Sequence, residues 1–288
     1  MSARSRRKIL LLGASGFVGG GIWIDLINRH EVIGTSSSRR VKDLINVDLN
    51  DASTLDEILH ENFDLIIHAA GLVDLESCER DPGLAHSLNV GSVESLLERL
   101  DHKPTKIIYL SSDYVFDGRN PSPYTENDPT RPLSVYGHTK VAAESLLAGS
   151  RHLVVRIPIV YGFSPFSNRF IERFASPKTP AQTDIVCGPL YLQSLAPALE
   201  KLWDLSGVVH FSGPEAMTRY ELMIRIRDAM KLPTDIVPIL NIDSACAQFR
   251  PPLVVLESVR HDLSGPELEV ALRDIVARTE AADHHALD

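Results

Sequence analysis

Tyr136 and Lys140 stand four residues apart in Tyr-Gly-His-Thr-Lys, so a helix sets them on one face. An ammonium beside a phenol favours the phenolate and lowers the tyrosine pKa, which lets the phenol hand a proton to a ketone near neutral pH. The run from Tyr109 to Phe116 precedes them, and a serine at the end of a buried strand there can hydrogen-bond the same ketone. The same spacing occurs on many solvated helix faces. The pair is therefore informative only inside a site that other segments build.

The first segment that builds one is Lys8-Ile9-Leu10-Leu11-Leu12, apolar in the manner of a buried strand, followed at once by Gly13-Ala14-Ser15-Gly16-Phe17-Val18-Gly19. Ile22 to Ile27 then reads as an amphipathic helix. Strand, glycine turn and helix in this order form a dinucleotide-binding context, here with G-x-x-G-x-x-G spacing. The first glycine serves the tight turn, the second the approach of pyrophosphate, and the third the packing of helix on strand. The phosphates then lie on the helix N-terminus. Gly13, Ser15, Gly16, Phe17, Val18 and Gly19 are the cofactor-binding candidates from this turn. At the end of the second strand, where an acidic residue usually holds the ribose of NAD, stand Ser37, Arg39 and Arg40. Hydroxyls and guanidiniums suit a 2′-phosphate, so NADPH/NADP is the expected cofactor, with NADH as the alternative. Asp48 and Leu49 are expected to border the adenine.

With 288 residues the chain holds one large α/β unit with a smaller lobe. A hydrophobic fraction of 44% and a charged fraction of 23% are ordinary for a globular protein. A net charge of −9 argues against a nucleic-acid surface and against anionic membranes. Cys78, Cys187 and Cys246 are far apart, and no histidine cluster has ligand spacing, so no metal site is expected. Arg4, Arg6, Arg7 and Lys8 ahead of an apolar run imitate a signal peptide, but the glycines break that run. A cytoplasmic protein is expected.

Stepping outward from the chemistry, strands are expected at Glu31–Thr35, Asp64–His68, Lys106–Ser111 and His152–Ile157 as well as Lys8–Leu12. Helices are expected over Ala52–Leu59, Pro82–Leu100 and from Tyr136 to Leu147, with a loop over Asp117–Leu133. Alternating strands and helices with near-continuous apolar strands predict a Rossmann-type doubly wound parallel sheet, of the α/β class, with a small C-terminal substrate lobe. Residues 1–162 are expected to form the dinucleotide-binding domain. Residues 163–276 would be the lobe, with elements returning to the core, and residues 277–288 a disordered tail.

The motifs Gly13/Gly16/Gly19, His68-Ala69-Ala70-Gly71, Leu88-Asn89-Val90, Ser111 to Gly118, Tyr136-Gly137-x-Thr139-Lys140 and Arg156-Ile157-Pro158-x-x-Tyr161-Gly162 together resemble the extended short-chain dehydrogenase/reductase family. Within it the chain looks most like dTDP-4-dehydrorhamnose reductases. The resemblance implies Tyr136 as proton donor, Lys140 as the residue that binds the nicotinamide ribose, and Ser112, ahead of Ser111, as the catalytic hydroxyl. It implies Ala69, Ala70 and Gly71 on the cofactor, Asp113 and Tyr114 at the sugar, and a nucleotide-sugar substrate. A homodimer is compatible with it. Two departures stand out: Ile159 occupies the place where such reductases carry a tryptophan, and the later Asp-Gln and Gly-Ser-Pro-Thr segments are missing. In Ser111–Gly118, Arg156-Ile157-Pro158 and Phe211–Glu221 the chain is similar to the regulatory beta subunit of methionine adenosyltransferase. That similarity implies an alternative, a protein that holds NADP and docks on a partner enzyme. An epimerase or dehydratase is a third reading, disfavoured by Tyr114 where dehydratases carry a second acid.

Overall fold

The computed structural model describes residues 6–37, 40–167 and 169–285. Strands β1 (Lys8–Leu12), β2 (Glu31–Ser36), β3 (Ile45–Asn46), β4 (Leu65–His68), β5 (Lys106–Ser112), β6 (Leu153–Ile157) and β7 (Gly207–His210) form one sheet in the order β7-β6-β5-β4-β1-β2-β3. Every neighbouring pair is parallel. The register Ile9↔Leu65 and Ile9↔Val32 places β1 between β4 and β2, at the point where the strand order reverses. In doubly wound sheets ligands bind beyond the carboxyl ends of the strands at such a point.

The apolar strands are continuous because both faces are covered. On one face Ile9 and Leu11 pack against Ile22 and Leu26 of α1 (Phe17–Leu26), and against Leu195, Leu199 and Leu202 of the helix Leu195–Leu202. On the other, Leu10 and Leu12 pack with Leu55 of α2 (Ala52–Leu59), and with the helices Ser92–Arg99 and Val135–Leu147. The expected fold class is the observed one.

Between β4 and β5 a short helix, α3 (Leu75–Arg80), precedes the expected one. The helix expected over Pro82–Leu100 is present as α4 (Pro82–His86), a π-helical turn at Ser87–Gly91 and α5 (Ser92–Arg99), without a break between them. The wide turn presents the buried Asn89, whose amide donates to the Leu72 carbonyl and to Thr139 Oγ1, both at 2.9 Å. Its Oδ1 accepts from the Leu72 N–H at 2.7 Å. A π turn at a functional edge is a common use of that geometry. α1 begins at Phe17, directly after the glycine turn, five residues before the apolar pattern shows it.

α6 (Val135–Leu147) starts at Ser134, whose hydroxyl caps the Gly137 N–H at 3.0 Å. Beyond β6 the lobe is built from short pairings. Lys178–Gln182 pairs with Asp235–Ile239, and Val186–Cys187 lies between Met217–Thr218 and Leu253–Val254. Three further helices follow α6 and the short α7 (Arg169–Glu172): α8 (Leu195–Leu202), α9 (Arg219–Ala229) and α10 (Leu268–His285). α9 opens on a capping box between Thr218 and Glu221, and α10 packs Leu268, Ala271, Leu272 and Ile275 onto Phe170 and Phe174. The stretch from Ala277, expected to be a disordered tail, is helical as far as His285, because it continues a helix already docked on the lobe. No helix among the described residues is long and apolar enough to cross a membrane.

Candidate functional site

A cavity of about 520 Å³ opens at the carboxyl ends of the central strands. It gathers Gly16, Phe17 and Val18 from the first turn, Ala69, Ala70 and Gly71 after β4, and Ser111 to Tyr114 after β5. Tyr136 and Lys140 on α6 and Ile157 to Val160 after β6 complete that side. Segments from Gly16 to Val160 thus meet at one sheet edge, as parallel topology requires.

The glycine turn is built for close approach. Gly13 has φ +82°, and a Cβ at Gly19 would lie 2.1 Å from the Gly13 carbonyl oxygen. Thr35 at the end of β2 holds the turn: its hydroxyl accepts from the Gly13 N–H at 3.1 Å and its carbonyl from the Ser15 N–H at 3.3 Å. The N-terminus of α1 has no side-chain cap, so its free N–H groups face the cavity edge. Such a cradle fits the pyrophosphate of a dinucleotide. Ser37, Arg40, Asp48 and Leu49 lie outside the cavity, at the end of β2 and after β3, and Arg39 lies outside the described residues. The Asp48 carboxylate accepts from the Asn50 N–H at 2.9 Å, within its own turn.

Ser112, the last residue of β5, donates to Asp113 Oδ1 at 3.0 Å and accepts from the Tyr114 N–H. Burial pushes the Asp113 carboxyl up to about 6, against the pull of the Ser112 hydroxyl and of Arg219. Lys140 Nζ donates to the Leu110 carbonyl at 3.0 Å and lies 4.6 Å from the Tyr109 ring and 5.7 Å from that of Tyr136. Burial lowers this ammonium to about 8, with Glu144 and Cys78 acting in the opposite direction.

Tyr136 corrects an expectation. Its phenol is raised well above its ordinary value, because burial outweighs the hydrogen bond shared with Ser112, and Asp113 adds to the rise. The ammonium itself is held by the Leu110 carbonyl and lies 5.7 Å from the centre of the Tyr136 ring. The Tyr136 ring also packs edge-on against Tyr114, 5.8 Å between centroids. Gly137 permits this, since a Cβ there would sit 2.3 Å from the Tyr114 carbonyl oxygen.

The lobe contributes Arg173, Arg219, Ala245, Cys246 and Arg250 to the opposite wall. Arg219 Nη2 donates to the Tyr114 hydroxyl at 3.2 Å, while the Nε atoms of Arg219 and Arg250 are buried with no hydrogen-bond partner among the described residues. Sequence reasoning assigned no role to either arginine. The available signal was Arg219 itself: a cation at the first position of a helix opposes the helix dipole, an arrangement that needs a reason. Asn89 and Thr139, which join the Gly71–Leu72 loop to α6, also carried no role. No cluster of metal-binding side chains occurs among the described residues.

The model of the RmlD substrate binding domain matches residues 7–277, nearly the whole described chain. The chain belongs to this family. Methionine adenosyltransferase 2 subunit beta of Rattus norvegicus is 31% identical over 255 residues, which cover 79% of this chain and 73% of that one. Among solved structures, the dTDP-4-dehydrorhamnose reductase of Bacillus anthracis in complex with NADP superposes with a TM-score of 0.83 at 20% identity. The match covers 95% of this chain and all of that one, and shows a shared fold. A hypothetical dTDP-4-dehydrorhamnose reductase from Sulfolobus tokodaii is 26% identical with a TM-score of 0.78, covering 91% of this chain and 98% of that one. Within the RmlD family, then, the chain has both a reductase fold and a relative described as a subunit of another enzyme.

Proposed function

We propose that the chain is an NADPH-dependent reductase of a nucleotide-linked 4-keto-6-deoxysugar. The observation that carries this reading is the gathering of Ser112, Tyr136 and Lys140 in one cavity with Gly16–Val18 and Ala69–Gly71. Structures of similar fold that hold NADP or NADPH support the cofactor. Gly13, Ser15, Gly16, Phe17, Val18 and Gly19 would hold the pyrophosphate, Ala69 to Gly71 the nicotinamide half, and Ser37, Arg39 and Arg40 the 2′-phosphate, with Asp48 and Leu49 at the adenine. The cofactor supplies a hydride to the carbonyl carbon.

The chain's own groups then supply a proton and a place for charge. The Ser112 hydroxyl donates to the ketone oxygen, which requires it to leave the Asp113 carboxylate. Tyr136 gives its proton to that oxygen as charge develops on it, and the C=O becomes CH–OH. A raised phenol suits this direction, because it stays protonated until it meets the alkoxide, a stronger base than any phenolate. Lys140 stabilises the phenolate left behind and binds the ribose of the cofactor. Asp113 and Tyr114 line the sugar side, facing Arg219 and Arg250.

The test is to mix purified chain with NADPH and a dTDP-4-keto-6-deoxyhexose and to follow absorbance of the reduced nicotinamide. Steady oxidation that disappears in Tyr136→Phe supports the reductase. Tight NADPH binding with no turnover across a panel of keto-sugars sinks it. That second outcome supports a cofactor-holding regulatory subunit, a reading favoured by the 31% identity to a methionine adenosyltransferase subunit and by Ile159 in place of an aromatic wall. Pull-down of a partner enzyme would then follow.

A further inference from the structure

Glu144 stands one helical turn beyond Lys140 on α6, with a carboxylate that joins three elements. Its Oε1 accepts from Ser111 Oγ on β5 at 2.5 Å and from Arg156 Nε on β6 at 2.9 Å. Its Oε2 accepts from Arg156 Nη2 at 2.6 Å. Ser111, Glu144 and Arg156 are all under one-tenth exposed. The guanidinium continues to His210 Nε2 on β7 at 3.3 Å and lies 5.2 Å from the Phe116 ring.

A buried ion pair is a poor way to gain stability, since desolvation offsets the attraction and a well-packed apolar pair serves as well. Its position suggests another use. Ser111 is flanked on one side by Leu110, whose carbonyl holds Lys140, and on the other by Ser112. The carboxylate therefore holds the strand residue that lies between the carbonyl binding Lys140 and Ser112. We infer that Glu144 is a positioning residue: through Ser111 it fixes the strand end that carries Ser112, and it sets a carboxylate one helical turn from Lys140.

The inference rests on the cofactor reading above. The groups around Lys140 make Glu144 the relevant charge. Burial acts most strongly and lowers it, Glu144 opposes this, and Cys78 on α3 opposes it less. His68 on β4 is neutral, held down to about 3 by burial, and Tyr109 and Tyr136 are protonated phenols whose values are raised.

The experiment measures NADPH affinity by fluorescence from pH 6 to 10. In the wild type, affinity falls at the upper end as Lys140 loses its proton, and Lys140→Met abolishes that limb. In Glu144→Leu/Arg156→Met, which keeps the pair's volume without its charge, the limb moves down by about one pH unit or more. A folded double variant with an unmoved limb overturns the inference. Should the double variant not fold, Ser111→Ala removes the strand tether alone. It is expected to lower kcat about tenfold with KM and NADPH affinity unchanged, and an unaltered kcat overturns the inference. A wild-type chain that binds NADPH without turnover leaves the affinity arm intact. A wild-type chain that binds no NADPH sinks the cofactor reading itself, before any variant is compared.

Discussion

Arg156 and Arg219 are both arginines near one cavity, and their surroundings are opposite. Arg156 lies under the floor of the site on β6, with the Glu144 carboxylate across two of its nitrogens at 2.6 and 2.9 Å. Arg219 lies on the lobe wall, donates to the Tyr114 hydroxyl, feels the Asp113 carboxyl at longer range, and has no carboxylate in ion-pair contact among the described residues. Arg250 beside it is lowered by burial and by Arg219, with Tyr114 opposing. Arg156 is neutralised within the protein; the lobe wall holds two cations whose Nε atoms have no hydrogen-bond partner among the described residues. A buried cation without a partner is unfavourable unless something else supplies the anion. The comparison teaches that one cation is neutralised by the fold itself, whereas those of the lobe wall leave donors open beside the cavity.

The largest expected effect breaks the floor at its reactive atom. Tyr136→Phe should lower turnover by about 10²–10⁴-fold while NADPH affinity changes little, read by single-turnover absorbance and by fluorescence titration. A matching loss of affinity would mean that the phenol is part of the cradle instead. Next, Arg156→Met leaves Glu144 as an uncompensated buried charge and should cost about 3–5 kcal/mol in urea unfolding. Arg219→Met tests the other wall and has the opposite sign for stability. Unfolding should be unchanged or slightly harder, while KM for an anionic keto-sugar rises about tenfold and NADPH affinity holds. If Arg219→Met destabilised the chain as Arg156→Met does, the contrast between the walls would fail.

The smallest effect concerns Asp113. Its carboxyl is raised by burial from the ordinary aspartate range to about 6, so between roughly pH 4 and 6 the folded chain binds more protons than the unfolded one. Stability attributable to Asp113 is therefore highest below pH 4 and lost as pH rises through 6. Asp113→Asn should remove that part of the slope, measured as the difference between the two chains' melting temperatures across that range. An identical slope in both would show that the carboxyl ionises as freely as in solvent.

Much of this was legible in the residues. Ile9 to Leu12 next to a glycine turn specified β1 and its loop, because a fully buried strand must be apolar at every position. Four residues on a helix specified that Tyr136 and Lys140 share a face. The lobe was less legible, since Lys178–Gln182 and Asp235–Ile239 are short strands with prolines, paired across more than fifty residues. No local period announces such a pairing. The π turn inside the Pro82–Leu100 helix was hidden for a related reason: it presents Asn89, whose partners Leu72 and Thr139 lie far away in sequence.

The sequence by itself determined the doubly wound sheet, the glycine cradle and the set Ser112, Tyr136 and Lys140, since each depends on near neighbours or on strand composition. Tertiary structure alone decided that the Tyr136 phenol is raised, that Lys140 is held by Leu110, and that Arg219 and Arg250 line the cavity with Nε atoms that have no hydrogen-bond partner among the described residues. Desolvation and charge pairing arise between groups distant along the chain, and only packing brings those groups together.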